Sequence, residues 1–207
     1  AQAQGEKLST MQTAKLVFSQ KQTWMVLLVF VVFDLFSGLS GMKSYICIYV
    51  LGDETLGIFA RTSAITTPLT MLNSLLMPFY FKKLGRRKVI TIGLIINIIG
   101  NIGFFIFGKN VATYIIFSVI TIQGMVPLMI GRYSYVADLT DFILRKRHVN
   151  AASFCAVAGS LGTKLGIGFG TALVGWILGW IGFEAAAEQN SSILTGMLAG
   201  GTLVPMI

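Results

Sequence analysis

The residues of this sequence able to carry charge chemistry fall in three places. Lys164 stands alone near the middle of a long apolar, glycine-rich stretch, with Ser160 four residues before it. Asp34 is a lone carboxylate inside another apolar run. Asp138 and Asp141 are spaced i, i+3, with Arg145 four residues beyond the second of them. A lone ammonium or carboxylate among apolar neighbours needs either a counter-ion or a ligand. The Asp138–Asp141 pair closes an apolar run, where carboxylates oppose the helix dipole, so basic partners are expected for it.

The composition states the medium in which these charges sit. The chain is 55% hydrophobic and 12% charged, with a mean hydropathy of +0.77, against roughly 25% charged residues in an ordinary soluble domain. One water-soluble core of 207 residues cannot hide that much apolar surface. The fold class expected is an all-α membrane protein, since the alternating strands of an outer-membrane barrel are absent from the pattern. The net charge of +8 does not indicate nucleic acid, because the bases stand in short clusters between apolar runs, where membrane topology places them. Cys47 and Cys155 fall near opposite ends of their helices and are expected to be inert buried thiols.

Five runs are long enough to cross about 30 Å of hydrocarbon at about 1.5 Å per residue. They are 24–51, 56–81, 89–107, 111–137 and 151–181, and a sixth begins at Ile193 and stops short. The turn Gly52-Asp53-Glu54-Thr55 offers Asp53, Glu54 or Thr55 as a cap for the second helix. A short basic loop, 82–88, separates the second run from the third. Residues 1–21 read as a cytoplasmic connecting segment or surface helix. The beginning AQAQGEKLST and the apolar ending Val204-Pro205-Met206-Ile207 suggest a piece of a longer polypeptide. Lys7, Lys15, Lys21, the five bases of 82–88, and Arg145 to Arg147 fall on one side. Only Lys109 falls on the other, together with Asp53, Glu54, Glu184 and Glu188. The positive-inside rule makes the first side cytoplasmic.

Depth ranks the charges within the runs, because each costs about 2.5–3.5 kcal/mol or more at mid-depth. Arg61, Arg132 and Lys43 stand near helix ends and are expected to snorkel to an interface. Asp34 and Lys164 stand about 15 and 20 Å into their helices and cannot escape that way. They either form a structural ion pair with each other or serve a central site. The fifth helix carries Ser153, Val157, Ser160, Lys164, Gly168, Thr171 and Gly175 at spacings of three and four, one small or polar face. Gly162, Gly166 and Gly170 form a second row, where another helix could approach closely. Asp138, Asp141, Arg145 and Arg86 of the basic loop fall on the cytoplasmic side. They form either a solvated charged surface or a network that locks that face in one state and breaks in another. An enzyme is not indicated, since the sole histidine, His148, lies in a basic loop without a metal or nucleophile constellation.

The block Ala137-Asp138-Leu-Thr-Asp141-Phe, then Arg147, then Ser160-x-x-Thr163-Lys164-Leu-Gly166-x-Gly168-x-Gly170, closely resembles the glycoside–pentoside–hexuronide:cation symporters. These are melibiose carrier-like members of the major facilitator superfamily. The basic loop 82–88 resembles that superfamily's signature between the second and third helices of each half. The resemblance implies a major facilitator-type helical bundle, with 22–207 as a C-terminal six-helix half. It implies cation-coupled symport, with Na⁺ or H⁺, of a sugar or glycoside across a bacterial cytoplasmic membrane. Lys164 would be a charge at the substrate and cation site, and Ser160 and Thr163 wall residues near the sugar; the similar depth of Asp34, not the resemblance, adds it as a partner of the lysine. Asp138, Asp141, Arg145 and Arg86 would form an inner gate. The expected partners are the sugar, the bilayer, the N-terminal half of the same carrier and the coupling cation, held mainly by that other half; no cofactor or resident metal is implied. The alternatives are a carrier of another substrate, such as a lysolipid or amphipathic drug, and a non-transporting membrane scaffold or sensor.

Overall fold

The computed structural model describes residues 9–184 and 191–202. Every regular element among them is helical. The chain begins with α1, Thr10–Phe18, whose start is closed by the Gln12 side-chain oxygen accepting from the Ser9 backbone N–H at 3.0 Å. This helix lies within the segment read from the sequence as a connecting segment or surface helix. The Thr23 hydroxyl donates to the Val17 carbonyl at 2.6 Å and the Trp24 indole donates to the Phe18 carbonyl at 3.0 Å. These bonds fasten α1 to the first turn of α2, Lys21–Leu39.

The first apolar run is not one regular helix. After α2 the chain re-forms as the single turn α3, Met42–Tyr45, and passes into a π-helical turn, Ile46–Val50, closed by Leu51 N–H to the Ile46 carbonyl. Such turns occur mostly as isolated bulges. In the loop that follows, Asp53 is the residue that caps, accepting from the Ile58 backbone N–H and from the Thr55 hydroxyl. These donors, the Ile58 N–H foremost, hold its carboxyl below the ordinary value of 3.8.

Helix α4, Gly57–Leu84, contains Pro68 and Pro78. Gly85 alone separates it from α5, Arg86–Phe107. Gly85 has φ 82°, a left-handed conformation that glycine reaches without a Cβ clash. The basic loop expected over 82–88 is therefore corrected to a one-residue break. Lys82 and Lys83 lie in the last turn of α4, where they favour the dipole, and Arg86, Arg87 and Lys88 open α5, where they oppose it.

Helix α6 runs from Val111 to Arg147 and contains Pro127. Its 37 residues extend about 55 Å at about 1.5 Å each, ten residues beyond the run that ends at Ala137. Helix α7, Ala152–Trp180, follows a break at His148 (φ 56°), and α8, Ser191–Thr202, begins the sixth expected helix. Among the described residues four segments are both long and apolar enough to cross a bilayer: 21–50, 86–107, 111–147 and 152–180. Helix α4 is long enough, about 42 Å for 28 residues, but its prolines, Asn73 and hydroxyl residues leave it no stretch as apolar as those of the four.

Two compact units divide the described chain. The first joins α1 and most of α2 to the second part of α6 and the first part of α7 (1–37 and 131–170). Its core holds Val17, Val26, Phe30, Leu139, Ile143, Ala151 and Cys155. Small residues let its helices meet: a Cβ on Gly162 would lie 2.7 Å from the Leu27 carbonyl oxygen, and one on Gly166 would lie 2.5 Å from that of Val31. The glycine row of α7 thus seats α2, as its spacing predicts.

The second unit (38–130 and 171–207) packs α5 on the first part of α6 in the same manner. A Cβ on Gly93 would lie 2.6 Å from the Gly124 carbonyl oxygen. The Asn97 side-chain amide donates to the Thr121 carbonyl at 2.9 Å and that of Asn101 to the Asn97 carbonyl at 3.0 Å. In the same unit α8 lies against α3 and the π-turn, with Gly201 close to Ile46 and Met42. Cys47 and Cys155 are both free and buried. Glu188, in the acidic loop expected before α8, lies outside the described residues, as do Lys7 and the ending from Val204 to Ile207.

Candidate functional site

The sequence places a potential ligand group on α7, and its surroundings come from α2 and α6. Ser160, Thr163 and Lys164 share one concavity of about 390 Å³ with Ala156, Gly159, Phe30, Tyr133 and Val136. That volume is within the range of small-molecule pockets. On α7, Ser153, Val157, Ser160, Lys164 and Gly168 are all exposed. A Cβ on Gly168 would meet nothing within 4 Å. The small and polar face of α7 is therefore open, and the glycine face is closed by α2. Among the described residues Lys164 has no carboxylate partner.

Asp34 is not that partner. Its Oδ2 lies 2.6 Å from Nη1 of Arg132, and both side chains are buried. The expected Asp34–Lys164 pair is corrected accordingly. The reason is angular rather than a matter of depth. Asp34 lies against Gly166, its Cβ 2.9 Å from where a Cβ on that glycine would stand. Lys164 precedes Gly166 by two residues, about 200° around the helix at about 100° per residue. Asp34, on α2, thus meets one side of α7 while Lys164 projects from the other.

Arg132 is likewise not a snorkelling residue. Its guanidinium carbon lies 4.8 Å from the ring centroid of Phe30, 4.1 Å from that of Phe33 and 5.1 Å from that of Tyr133. Its Nη2 donates to the Tyr133 hydroxyl at 3.4 Å, while Nε is buried without a hydrogen-bond partner. One carboxylate oxygen and three aromatic rings therefore hold the cation, an arrangement available to arginine because its planar head stacks and is weakly hydrated. Sequence reasoning missed this cage. The signals were present in Phe30 and Phe33, one turn apart beside Asp34, and in Tyr133 beside Arg132.

Of the other expected snorkelling bases, Arg61 is exposed, whereas Lys43 places its Nζ 5.7 Å from the Phe104 ring centroid. Asp138, Asp141 and Arg145 line a second concavity together with Phe142 and Lys146. Asp138 and Asp141 stand one turn apart on α6 and Arg145 lies in its last turn, where Lys146 has its Nζ 5.2 Å from the Phe142 ring centroid. Arg86, assigned to the same gate from the sequence, is the first residue of α5 and belongs to the second unit. Among the described residues no group of three or more His, Cys, Asp or Glu side chains could hold a metal ion.

The chain is 24% identical over 220 residues to the isoprimeverose transporter of Lactiplantibacillus pentosus, a match that covers 98% of this chain and 44% of that protein. It thus spans less than half the length of this curated relative. The family described as MFS/sugar transport protein matches residues 1–207. A helical membrane chain with one open polar face, matched to this family from end to end, belongs to the MFS/sugar transport proteins of the major facilitator superfamily.

Proposed function

We propose that this chain is the C-terminal half of a twelve-helix secondary transporter that carries a sugar or glycoside together with Na⁺ or H⁺. The single observation that carries the reading is the open face of α7, where Lys164 stands without a counter-ion among the described residues in a concavity that also holds Ser160 and Thr163, in a chain of a sugar-transport family. The relative's name, isoprimeverose transporter, supports a glycoside as the substrate class.

In this mechanism the hydroxyls of Ser160 and Thr163 exchange hydrogen bonds with sugar hydroxyls, and the Lys164 ammonium supplies three further donors. The charge stays unpaired within this unit because its partners are substrate and the cation-binding carboxylates of the N-terminal half. Alternating access proceeds by rocking of the two halves about this central position. Asp138, Asp141 and Arg145, close together on α6, belong to the cytoplasmic gate. Asp34 serves the site indirectly, as the counter-ion of Arg132.

The test is sugar uptake by the full-length carrier in inside-positive and inside-negative vesicles, with and without Na⁺ and proton gradients. Gradient-driven accumulation of isoprimeverose, xylose, glucose or galactose supports symport. Uptake of a lysolipid, with no sugar carried, would replace it by the lipid-carrier reading.

A further inference from the structure

The concavity beside Lys164 contains an aromatic ring that the polar residues do not account for. Tyr133 is 56% exposed, whereas Phe30, its neighbour on the same wall, is 2% exposed. An exposed tyrosine on a membrane helix ordinarily carries its hydroxyl toward an interface, with the ring left to turn. Tyr133 is instead held from behind. Phe30 meets its ring edge-on at 5.6 Å, and the Arg132 guanidinium lies 5.1 Å from its centroid and donates to its hydroxyl. Arg132 is in turn fixed by Asp34 at 2.6 Å. An exposed ring is thus backed by a buried ion pair and by Phe30, which the same guanidinium also contacts.

A pyranose has a face of C–H groups surrounded by hydroxyls. The negative face of an aromatic ring attracts such C–H groups, and a ring already immobilised loses little freedom on contact. Ser160, Thr163 and Lys164, on the same wall, are of the types that bind the surrounding hydroxyls. We propose that Tyr133 is the platform on which the sugar ring lies, and that Asp34 and Arg132 are positioning residues that hold it there. This inference rests on the sugar-transport reading and adds a substrate-contacting residue to it.

The test is initial-rate uptake of isoprimeverose, xylose, glucose and galactose by the full-length carrier and its Tyr133→Ala, Tyr133→Leu, Tyr133→Phe and Tyr133→Trp variants, normalised to carrier in the membrane. Alanine and leucine are expected to raise KM about tenfold with Vmax within twofold of the parent. Phenylalanine and tryptophan, which keep a ring, are expected to stay within threefold in KM. If alanine prevents insertion, leucine decides. A KM change below threefold in the variants without a ring overturns the platform. So does a loss confined to Vmax, or a phenylalanine variant as impaired as leucine. Sugar uptake that is indifferent to Tyr133 removes this inference alone; a parent carrier that takes up none of the four sugars removes the transport reading and this inference together.

Discussion

Asp34 and Arg132, 98 residues apart in sequence, form a buried ion pair with Oδ2 and Nη1 separated by 2.6 Å. Neither has another charged partner among the described residues, and Arg132 Nε makes no hydrogen bond. Removing one partner of such a pair strands the other charge, at a cost of about 3–5 kcal/mol. Asp34→Asn and Arg132→Gln are each expected to lower the detergent-solubilised melting temperature and the amount of carrier in the membrane. The double variant is expected to recover part of the loss. A double variant whose loss equals the sum of the two single ones would show that the pair is not coupled.

Gly166 and Gly168 are two residues apart on α7 and are expected to respond in opposite ways to alanine. A Cβ at Gly166 would lie 2.5 Å from the Val31 carbonyl oxygen, a backbone atom that moves only if α2 moves. Overpacking of this kind costs about 1–3 kcal/mol. Gly168 has open space in front of it, and alanine there gains up to about 1 kcal/mol of helix propensity. Thermal unfolding of Gly166→Ala and Gly168→Ala in the same detergent checks both signs.

The Asp53 turn makes a pH-dependent contribution of known sign. Its carboxyl is held below its ordinary 3.8 by the Ile58 N–H and the Thr55 hydroxyl. A depressed carboxylate stabilises above its unfolded value and loses that stabilisation as pH falls through the folded one. The difference in melting temperature between parent and Asp53→Asn is therefore expected to be constant from neutral pH to about 5 and to shrink below 3.8. A gap that widens with acid would contradict the turn geometry.

On the second unit, Asn97 donates to the Thr121 carbonyl at the closest approach of α5 and α6. Hydrogen bonds between helices within a bilayer average about 0.6 kcal/mol. Asn97→Ala is expected to lower stability modestly, by about 1 kcal/mol including lost packing, and to leave the KM for sugar unchanged. A tenfold KM change would assign this asparagine to the site.

Much of the architecture was legible because a bilayer demands long apolar runs separated by polar turns. The glycine row of α7 was legible because residues four apart share a face, and Gly162 and Gly166 do seat α2. The break at 82–88 was misread, since a basic cluster looks like a loop whereas Gly85 alone suffices to turn the chain. Arg132 was misplaced for a related reason. Counted back from Ala137 it stands near a helix end, but α6 continues to Arg147, leaving about 22 Å of helix between them at about 1.5 Å per residue. Its pairing with Asp34 could not be read from spacing at all, because it depends on which faces of α2 and α6 meet. The open position of Lys164 was legible from the small residues around it, whereas the contribution of Tyr133 from α6 was not.

Uptake by the full-length carrier with Lys164→Gln measures the role of the lysine at the sugar and cation site. Cation-driven sugar accumulation is expected to fall at least a hundredfold while carrier in the membrane and melting temperature stay close to the parent, because no ion pair among the described residues depends on the lysine. Accumulation at the parental rate in Lys164→Gln would show that the lysine is not part of the transport site.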